Sequence, residues 1–135
     1  SIKNKIQKFH DTFVFEYDVR NDFPYGDFKE DGISAIYARF FIHALDETAL
    51  QGFFTNISKV LKPDEFMFLE YRNDNDVNKP KLTSPHFRAF YPSEKIEEYA
   101  KTEHFNLIYE VSGQGFAKLK HDDASVTRQI FQFKG

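Results

Sequence analysis

The chain has 135 residues, which is room for one domain with one hydrophobic core, and its formal net charge is −3. It contains no cysteine, which excludes disulfides and thiol chemistry, and its five histidines show no metal-ligand spacing. The acidic balance gives no electrostatic footprint for nucleic acid, and no apolar run approaches the roughly 20 residues of a membrane span. With no signal peptide before the first strand, we expect a soluble, cytoplasmic protein.

The N-terminal quarter of the chain shows one helical pattern and two strand patterns. Residues 2–9, IKNKIQKF, have apolar side chains at helical spacing and predict a short helix or the end of a helix. Residues 12–18, TFVFEYD, are β-branched and aromatic and predict a strand. A polar stretch with Pro24 and Gly26 separates them from the apolar segment 33–38, ISAIYA, which predicts a buried strand.

The middle of the chain predicts a helix followed by a strand. Asp46 is the expected N-cap of a helix over about 47–61, whose apolar residues recur at helical spacing. Pro63, in the sequence KPDE, ends that helix. Residues 66–71, FMFLEY, predict a strand that is buried on both faces, because nearly every residue is apolar.

A long polar loop follows at residues 72–85, with two prolines and little apolar surface to anchor it. Loops of this length inside a compact domain are usually lids or mobile segments. We expect this loop to be mobile without ligand and to be the first site of limited proteolysis.

The C-terminal third predicts one helix and two strands. Ser93 is the expected N-cap of a helix over about 94–102, and the strands lie at 106–112 and 126–134. Alternating strands and helices favour an α/β fold with a mostly parallel sheet and helices on both faces. The link between the last two strands is too short for a parallel crossover, so the last strand should run antiparallel.

Two polar residues, Arg39 and His43, lie inside an apolar run, where polar side chains need partners. Arg39 either reaches a ligand or pairs with an acid such as Glu70, and His43 either contacts a ligand or only packs. Arg128, on the last strand, is expected to form a structural ion pair.

The segment DGISAIYARFFIHALDETALQGFFTNISKVLKPDEFMFLEYR resembles the middle of a class I S-adenosylmethionine-dependent methyltransferase. In that family a fourth strand, opened by an acid (here Asp31), leads to a polar and aromatic segment (here 37–40), a helix and an LKPGG-like turn (here LKPDE). Upstream, FVFEYDVRNDFP is similar to the third strand with its terminal acid, Asp18. Residues 84–134 are similar to the last helix and the sixth and seventh strands, and 86–90 partly match an HYRRF-like segment of some bacterial members.

The resemblance implies the fold, the cofactor and the site. The fold is an α/β, truncated Rossmann-like methyltransferase sheet, mostly parallel with an antiparallel last strand and helices on both faces. It forms a single partial domain over residues 1–135, holding the family's third to seventh strands. The cofactor is S-adenosylmethionine. Its contacts would be Asp18, Val19, Tyr37, Ala38 and Arg39, the catalytic base would be His43, and the substrate-binding residues would be Phe40, Tyr71, Arg72, His86 and Arg88.

The resemblance covers only the C-terminal two-thirds of the family's domain. The first strand with its glycine-rich loop, and the second strand whose acid holds the ribose, are absent from these residues, so this chain alone should bind S-adenosylmethionine weakly or not at all. Methyl transfer to a small molecule or glycan precursor would belong to the full-length protein. Two alternatives stay open: a non-catalytic dimerisation module derived from a methyltransferase half-domain, and a fragment of a dinucleotide-binding oxidoreductase, against which the antiparallel last strand counts.

The open edge of the fourth strand is expected to find a partner. Without the family's first two strands, ISAIYA would expose unpaired backbone groups on one side. The third strand could shift to pair with it, a second chain could fill the edge, or the N-terminal residues could be displaced. We favour a homodimer formed through this edge.

Overall fold

The computed structural model describes residues 35–73, 89–116, 118–119 and 122–135, together with the backbone of two short N-terminal strands. In chain order its elements are strands β1 (Ile6–Phe9), β2 (Thr12–Phe15) and β3 (Ala35–Arg39), a 3₁₀ turn (Ile42–Ala44), helix α1 (Glu47–Val60), strand β4 (Phe66–Arg72), helix α2 (Ser93–Thr102), and strands β5 (Phe105–Gly113), β6 (Lys118–Leu119), β7 (Asp122–Asp123) and β8 (Val126–Phe133). None of the helices in these ranges is long and apolar enough to cross a membrane.

The main sheet has four strands in the order β3-β4-β8-β5. Strands β3 and β4 are parallel, whereas β8 is antiparallel to both of its neighbours, β4 and β5. The α/β class, the parallel pairing of β3 with β4 and the antiparallel last strand are therefore confirmed. Strand β8 runs antiparallel to β5 because the short link between them can only return the chain in the opposite direction.

One face of this sheet forms the hydrophobic core. Strand β4 turns Met67, Leu69 and Tyr71 to this face, and all three are buried. Apolar residues of both helices, including Phe54 of α1 and Ile96 of α2, pack into the same cluster. Both described α-helices therefore cover the same face, and the helices expected on the second face do not lie among the described residues.

Helix α1 matches its predicted range closely. The carboxylate of Asp46 accepts a hydrogen bond from Ala49 N at 2.8 Å, so the predicted N-cap is confirmed. Such a bond satisfies one of the amide groups that a helix start leaves without an intrahelical partner. The helix ends at Val60, and Leu61 N still donates to Ile57 O at 3.1 Å before Pro63 stops further helical pairing.

The predicted helix over residues 2–9 is wrong where the structure describes it. Residues Ile6–Phe9 form β1, which pairs antiparallel with β2 in a separate two-stranded sheet. A helix of about eight residues is marginal in water, whereas a strand of the same residues gains backbone hydrogen bonds from its neighbour. Strand β2 was expected to be the third strand of the methyltransferase sheet, and it pairs with β1 instead; residues 16–18 of that prediction lie outside the described residues.

Strand β3 is less buried than its apolar sequence suggested. It runs over Ala35–Arg39, and Tyr37 in its middle is 66% exposed. The reason is position, because in the described part of the chain β3 pairs only with β4 and so forms the end of the sheet. The prediction of a buried strand is therefore wrong, while the expected open edge is present among the described residues.

Helix α2 begins one residue earlier than predicted, at Ser93, and Ser93 is not its cap. Pro92 occupies the cap position with extended backbone, and its ring fixes φ at −65°. The Ser93 hydroxyl instead points to Glu110, with Oγ 3.4 Å from Oε2. Of the loop predicted at 72–85, only Arg72 and Asn73 are described, so its expected mobility lies outside the described residues.

Candidate functional site

The carboxyl ends of β3 and β4 meet at one edge of the sheet because the two strands are parallel. Ligands of doubly wound sheets bind beyond such ends. Tyr37, Ala38 and Arg39 close strand β3, with Ala38 buried and Arg39 exposed. The structure therefore brings three of the five predicted cofactor contacts to this edge, while Asp18 and Val19 lie outside the described residues.

Glu70 lies between two arginines at this edge. It stands opposite Arg39 on β3 and opposite Arg128 on β8. Its carboxylate accepts a hydrogen bond from Arg39 Nε at 2.9 Å and another from Arg128 Nε at 2.7 Å. The pairing of Arg39 with Glu70, which the sequence left open, is therefore what the structure shows, and the expected structural ion pair of Arg128 is confirmed.

The carboxyl group of Glu70 is held in its charged form. Burial, the largest single influence, raises its pKa, but the hydrogen bonds and charges of Arg39 and Arg128 together outweigh it, so the pKa of Glu70 is lowered. The carboxylate in turn raises the pKa of Arg39. Both guanidinium groups also lie over aromatic rings, Arg39 at 4.9 Å from the centre of Phe40 and Arg128 at 4.8 Å from that of Phe116.

Phe40 turns the chain sharply at the end of β3. Its φ is +51°, in the left-handed region that bulky side chains rarely adopt. Its amide donates to Glu70 O at 2.6 Å, so β4 holds this conformation in place. Strained backbone of this kind is concentrated at binding and catalytic sites, which makes the turn the strongest local signal of function at this edge.

His43 follows in the 3₁₀ turn and is buried. Its ring centre lies 6.1 Å from that of Phe40, and its carbonyl accepts a hydrogen bond from Ala89 N at 2.7 Å. The turn therefore joins the end of β3 to the segment that precedes α2. His43 lies close to the carboxyl edge with its side chain enclosed, and its role as the base stays a prediction.

The predicted substrate residues are spread over different surroundings. Tyr71 faces the helix-covered core, where it is fully buried and its hydroxyl lies 2.7 Å from Gln129 Oε1. Arg72 ends β4 and is half-buried on the opposite face. His86 and Arg88 lie outside the described residues, and Phe40 is at the strained turn.

The second face of the sheet carries a row of apolar side chains that was not predicted from the sequence. Tyr37, Phe68, Ile130 and Tyr109 stand opposite one another across the four strands. Together with Glu70 and Arg128 they line a groove of about 370 Å³. The sequence spacing places Phe68 and Glu70 on one face of β4, and Arg128 and Ile130 on one face of β8. Which of these residues stand opposite each other follows only from the register between the strands, so the row could not be predicted from the sequence.

No family model and no curated protein sequence matches the chain. Solved structures do match. A SAM-dependent methyltransferase from Methanosarcina mazei has a TM-score of 0.62 at 12% identity, over 76% of this chain and 59% of that one. A S-adenosylmethionine-dependent methyltransferase from Clostridium acetobutylicum has a TM-score of 0.61 at 13% identity, over 88% of this chain and 63% of that one.

A third match was solved with ligands. The 1,6-didemethyltoxoflavin-N1-methyltransferase of Burkholderia thailandensis, with 1,6-didemethyltoxoflavin and S-adenosylhomocysteine bound, has a TM-score of 0.54 at 15% identity, over 76% of this chain and 44% of that one. The chain has the fold of the class I S-adenosylmethionine-dependent methyltransferases. It spans between 44% and 63% of the length of these three proteins. At such low identity the likeness shows the methyltransferase fold alone, and residue roles must be argued from this chain.

Proposed function

We propose that this chain is the C-terminal part of an S-adenosylmethionine-dependent methyltransferase. The observation that carries the proposal is the sheet order β3-β4-β8-β5, with β8 antiparallel between two strands of the same direction. Methyltransferases with longer chains match this fold at TM-scores of 0.62 and 0.54, and one of them holds S-adenosylhomocysteine. The length of those chains supports the interpretation of this one as part of a domain.

The residues at the end of β3 fit one side of the cofactor. Tyr37 offers an exposed aromatic face for stacking on a planar base, and the small side chain of Ala38 allows close approach. When bound, S-adenosylmethionine supplies an electrophilic methyl group on a sulfonium. The proposed contacts are Tyr37, Ala38 and Arg39, together with Asp18 and Val19, and the groups that hold the ribose and the carboxypropyl chain would come from polypeptide outside these residues.

Arg39 contributes mainly by position in this proposal. Its Nε bond to Glu70 anchors the last residue of β3 to β4, immediately before the strained Phe40 turn. The bond therefore fixes the position and direction of the Phe40 turn, which in this proposal faces the cofactor. Arg39 is therefore proposed to position this turn as well as to contact the cofactor.

His43 is the proposed base. Its imidazole lies beside Phe40 at the carboxyl edge, and a neutral imidazole can take the proton that an attacking hydroxyl or amine must lose. Burial would keep water from competing for that proton. The acceptor is proposed to be a small molecule or glycan precursor, bound with help from Phe40, Tyr71, Arg72, His86 and Arg88.

A second candidate is an interaction module without catalytic activity. It is favoured by the exposed row of apolar side chains on the second sheet face, since exposed apolar patches mark interaction sites. An oxidoreductase fragment receives less support, because the solved structures that match in fold include SAM-dependent methyltransferases. The antiparallel β8 of this chain also counts against it.

The test is a calorimetric titration with S-adenosylhomocysteine of two proteins, the 135-residue chain and a version extended by the coding sequence upstream of Ser1. We expect binding by the extended protein and weak or no binding by the chain alone. In the extended protein, Tyr37→Ala should weaken binding about tenfold, whereas Thr48→Ala, on the exposed side of α1, should not. An extended protein that fails to bind favours the interaction module, and low-micromolar binding by the chain alone contradicts the partial-domain interpretation.

A further inference from the structure

The segment that leads into α2 holds the turn that carries His43. The Tyr91 hydroxyl donates a hydrogen bond to Leu45 O at 2.7 Å, although the two residues lie 46 positions apart in the chain. Ala89 N, two residues before Tyr91, donates to His43 O at 2.7 Å. The Ile42–Ala44 turn is therefore held at two points, one at His43 itself and one immediately after the turn.

The turn has little internal support. Ala44 N donates to Phe41 O at 3.0 Å. The next amide, that of Leu45, donates to Ile42 O at 3.1 Å. Short 3₁₀ segments have poorer hydrogen-bond geometry than α-helices, and this one closely follows the left-handed Phe40. Its position therefore depends on the hydrogen bonds that it receives from outside.

Tyr91 is itself fixed by the sheet. It forms a parallel β-bridge with Asn73, the residue that follows β4, and it is only 6% exposed. Asn73 is buried as well, and its amide donates to Ser125 O at 3.1 Å. The Nδ2 of Asn73 donates to Thr127 Oγ1, on β8, at 3.0 Å. The Tyr91 ring is therefore a rigid link between the two central strands and the turn.

The chemistry of the Tyr91 hydroxyl suits this role. Burial, the largest influence, raises the pKa of Tyr91, so the hydroxyl keeps its proton at neutral pH and can donate. Its acceptor is a backbone carbonyl, so the bond constrains the path of the chain directly, two residues after His43. A phenylalanine would fill the same space without donating, so the effect of the bond can be separated from that of the ring.

We propose that Tyr91 is a positioning residue for His43, because its bond to Leu45 O keeps the His43 ring beside Phe40. The two ring centres lie 6.1 Å apart at the carboxyl edge. A general base must lie within hydrogen-bond reach of the proton that it takes, so its placement decides whether it can act. The catalytic meaning of this placement rests on the proposed function, whereas the placement itself rests on the hydrogen bonds.

The test compares the intact 135-residue chain with Tyr91→Phe and Tyr71→Phe by NMR, and the His43 signals are identified by their loss in His43→Gln. Tyr71→Phe also removes a buried hydroxyl bond, but that bond runs from β4 to β8, on the opposite side of β4 from the strand that leads into the turn. We expect Tyr91→Phe to shift the His43 ring-proton resonances, since the ring current of Phe40 acts on them, and Tyr71→Phe to leave them in place. Equal shifts in both variants, or no shift in Tyr91→Phe, overturn the proposal.

Hydrogen exchange gives a second measurement. Tyr91→Phe should speed the exchange of the Ala44, Leu45 and Ala89 amides about tenfold relative to amides at the centre of β4, and Tyr71→Phe should not. Circular dichroism checks that both variants fold. If Tyr91→Phe does not, exchange in the unaltered chain decides, because the three amides should open together with one free energy, and separate openings overturn the proposal.

The proposal and the proposed function can fail separately. His43 resonances that respond to Tyr91→Phe, together with an extended protein that does not bind S-adenosylhomocysteine, contradict the proposed function alone. Resonances that do not respond, together with binding of S-adenosylhomocysteine by the extended protein, contradict the role of Tyr91 alone.

Discussion

Arg39 lies directly across the parallel ladder from Glu70, and its Nε donates to Glu70 Oε1 at 2.9 Å. Arg128 meets the same carboxylate from the antiparallel side, with Nε 2.7 Å from Oε2. One acid thus connects three strands at the edge of the sheet where ligands of this fold bind. The ion pairs hold the strand ends in register immediately before the Phe40 turn.

The acid stability of the protein should depend on Glu70. Its folded-state pKa is lowered, so its contribution is fully present above the ordinary pKa of about 4.3 and is lost as pH falls through the lowered value. Glu70→Gln should reduce the free energy of unfolding by about 1–2 kcal/mol at pH 7, and its difference from the wild type should shrink towards pH 3. Urea denaturation at both pH values measures this, with Glu98→Gln, exposed on α2, as the control. A constant difference across the pH range would contradict the assignment.

Removing the buried hydroxyl of Tyr71 should destabilise the fold. Tyr71→Phe leaves Gln129 Oε1 without the partner that lies at 2.7 Å, in a region with no access to water. We expect a loss of about 1–2 kcal/mol in the free energy of unfolding. Tyr37→Phe removes the same group from an exposed side chain and should change it by less than about 0.5 kcal/mol. Equal changes in the free energy of unfolding for the two variants would show that the hydrogen bond from Tyr71 to Gln129 does not stabilise the fold.

The contribution of the α1 N-cap to the free energy of unfolding should be measurable with single substitutions of Asp46. Asp46→Ala removes the acceptor of the 2.8 Å bond from Ala49 N and should lower the free energy of unfolding by about 1 kcal/mol. Asp46→Asn keeps a side-chain oxygen at this position and should retain most of the stability. Thermal or chemical denaturation separates the two, and an alanine variant as stable as the asparagine variant would contradict the role of the cap.

His104 should be replaceable by glycine with a gain in stability. It follows the end of α2 with φ at +68°, and its amide donates to Lys101 O at 3.0 Å. Relief of the left-handed conformation, about 1–2 kcal/mol, exceeds the added entropy of the unfolded glycine chain, about 0.4–1 kcal/mol. His104→Gly should therefore raise the midpoint of urea unfolding, and His104→Val, which is β-branched, should lower it. The opposite order would show that the His104 side chain stabilises this turn.

The local patterns of the sequence predicted most of the main sheet and its helices. Asp46 followed by apolar residues at helical spacing fixed the start of α1, and the short link after β5 required β8 to run antiparallel. Strand β1 was missed because Ile6 and Phe9 fit helical spacing, while a neighbouring strand supplied the hydrogen bonds that decided its form. The start of α2 was missed because Pro92 takes the cap position without any side-chain acceptor.

The site was harder to predict because it depends on register. An alternating sequence does not say which residue of β8 stands opposite Glu70. An ion pair of Arg128 could therefore be predicted, but its partner Glu70 could not. Tyr71 was assigned to the ligand cleft from its place at the end of a strand, but it follows Met67 and Leu69 onto the core face, and its role in substrate binding stays a prediction. The left-handed Phe40 had no signal in the sequence, since glycine would be the usual residue there.

On the ribosome, β8 emerges after β4 and β5, although it lies between them in the finished sheet. Until Val126–Phe133 leave the exit tunnel, β4 and β5 have no strand to join them, and the core lacks Phe131 and Phe133. Synthesis at about 5–20 residues per second leaves these apolar strands exposed for seconds in the nascent chain. A ribosome stalled before Val126 therefore presents an unfinished sheet to chaperones, and the core can close only after Val126–Phe133 have left the exit tunnel.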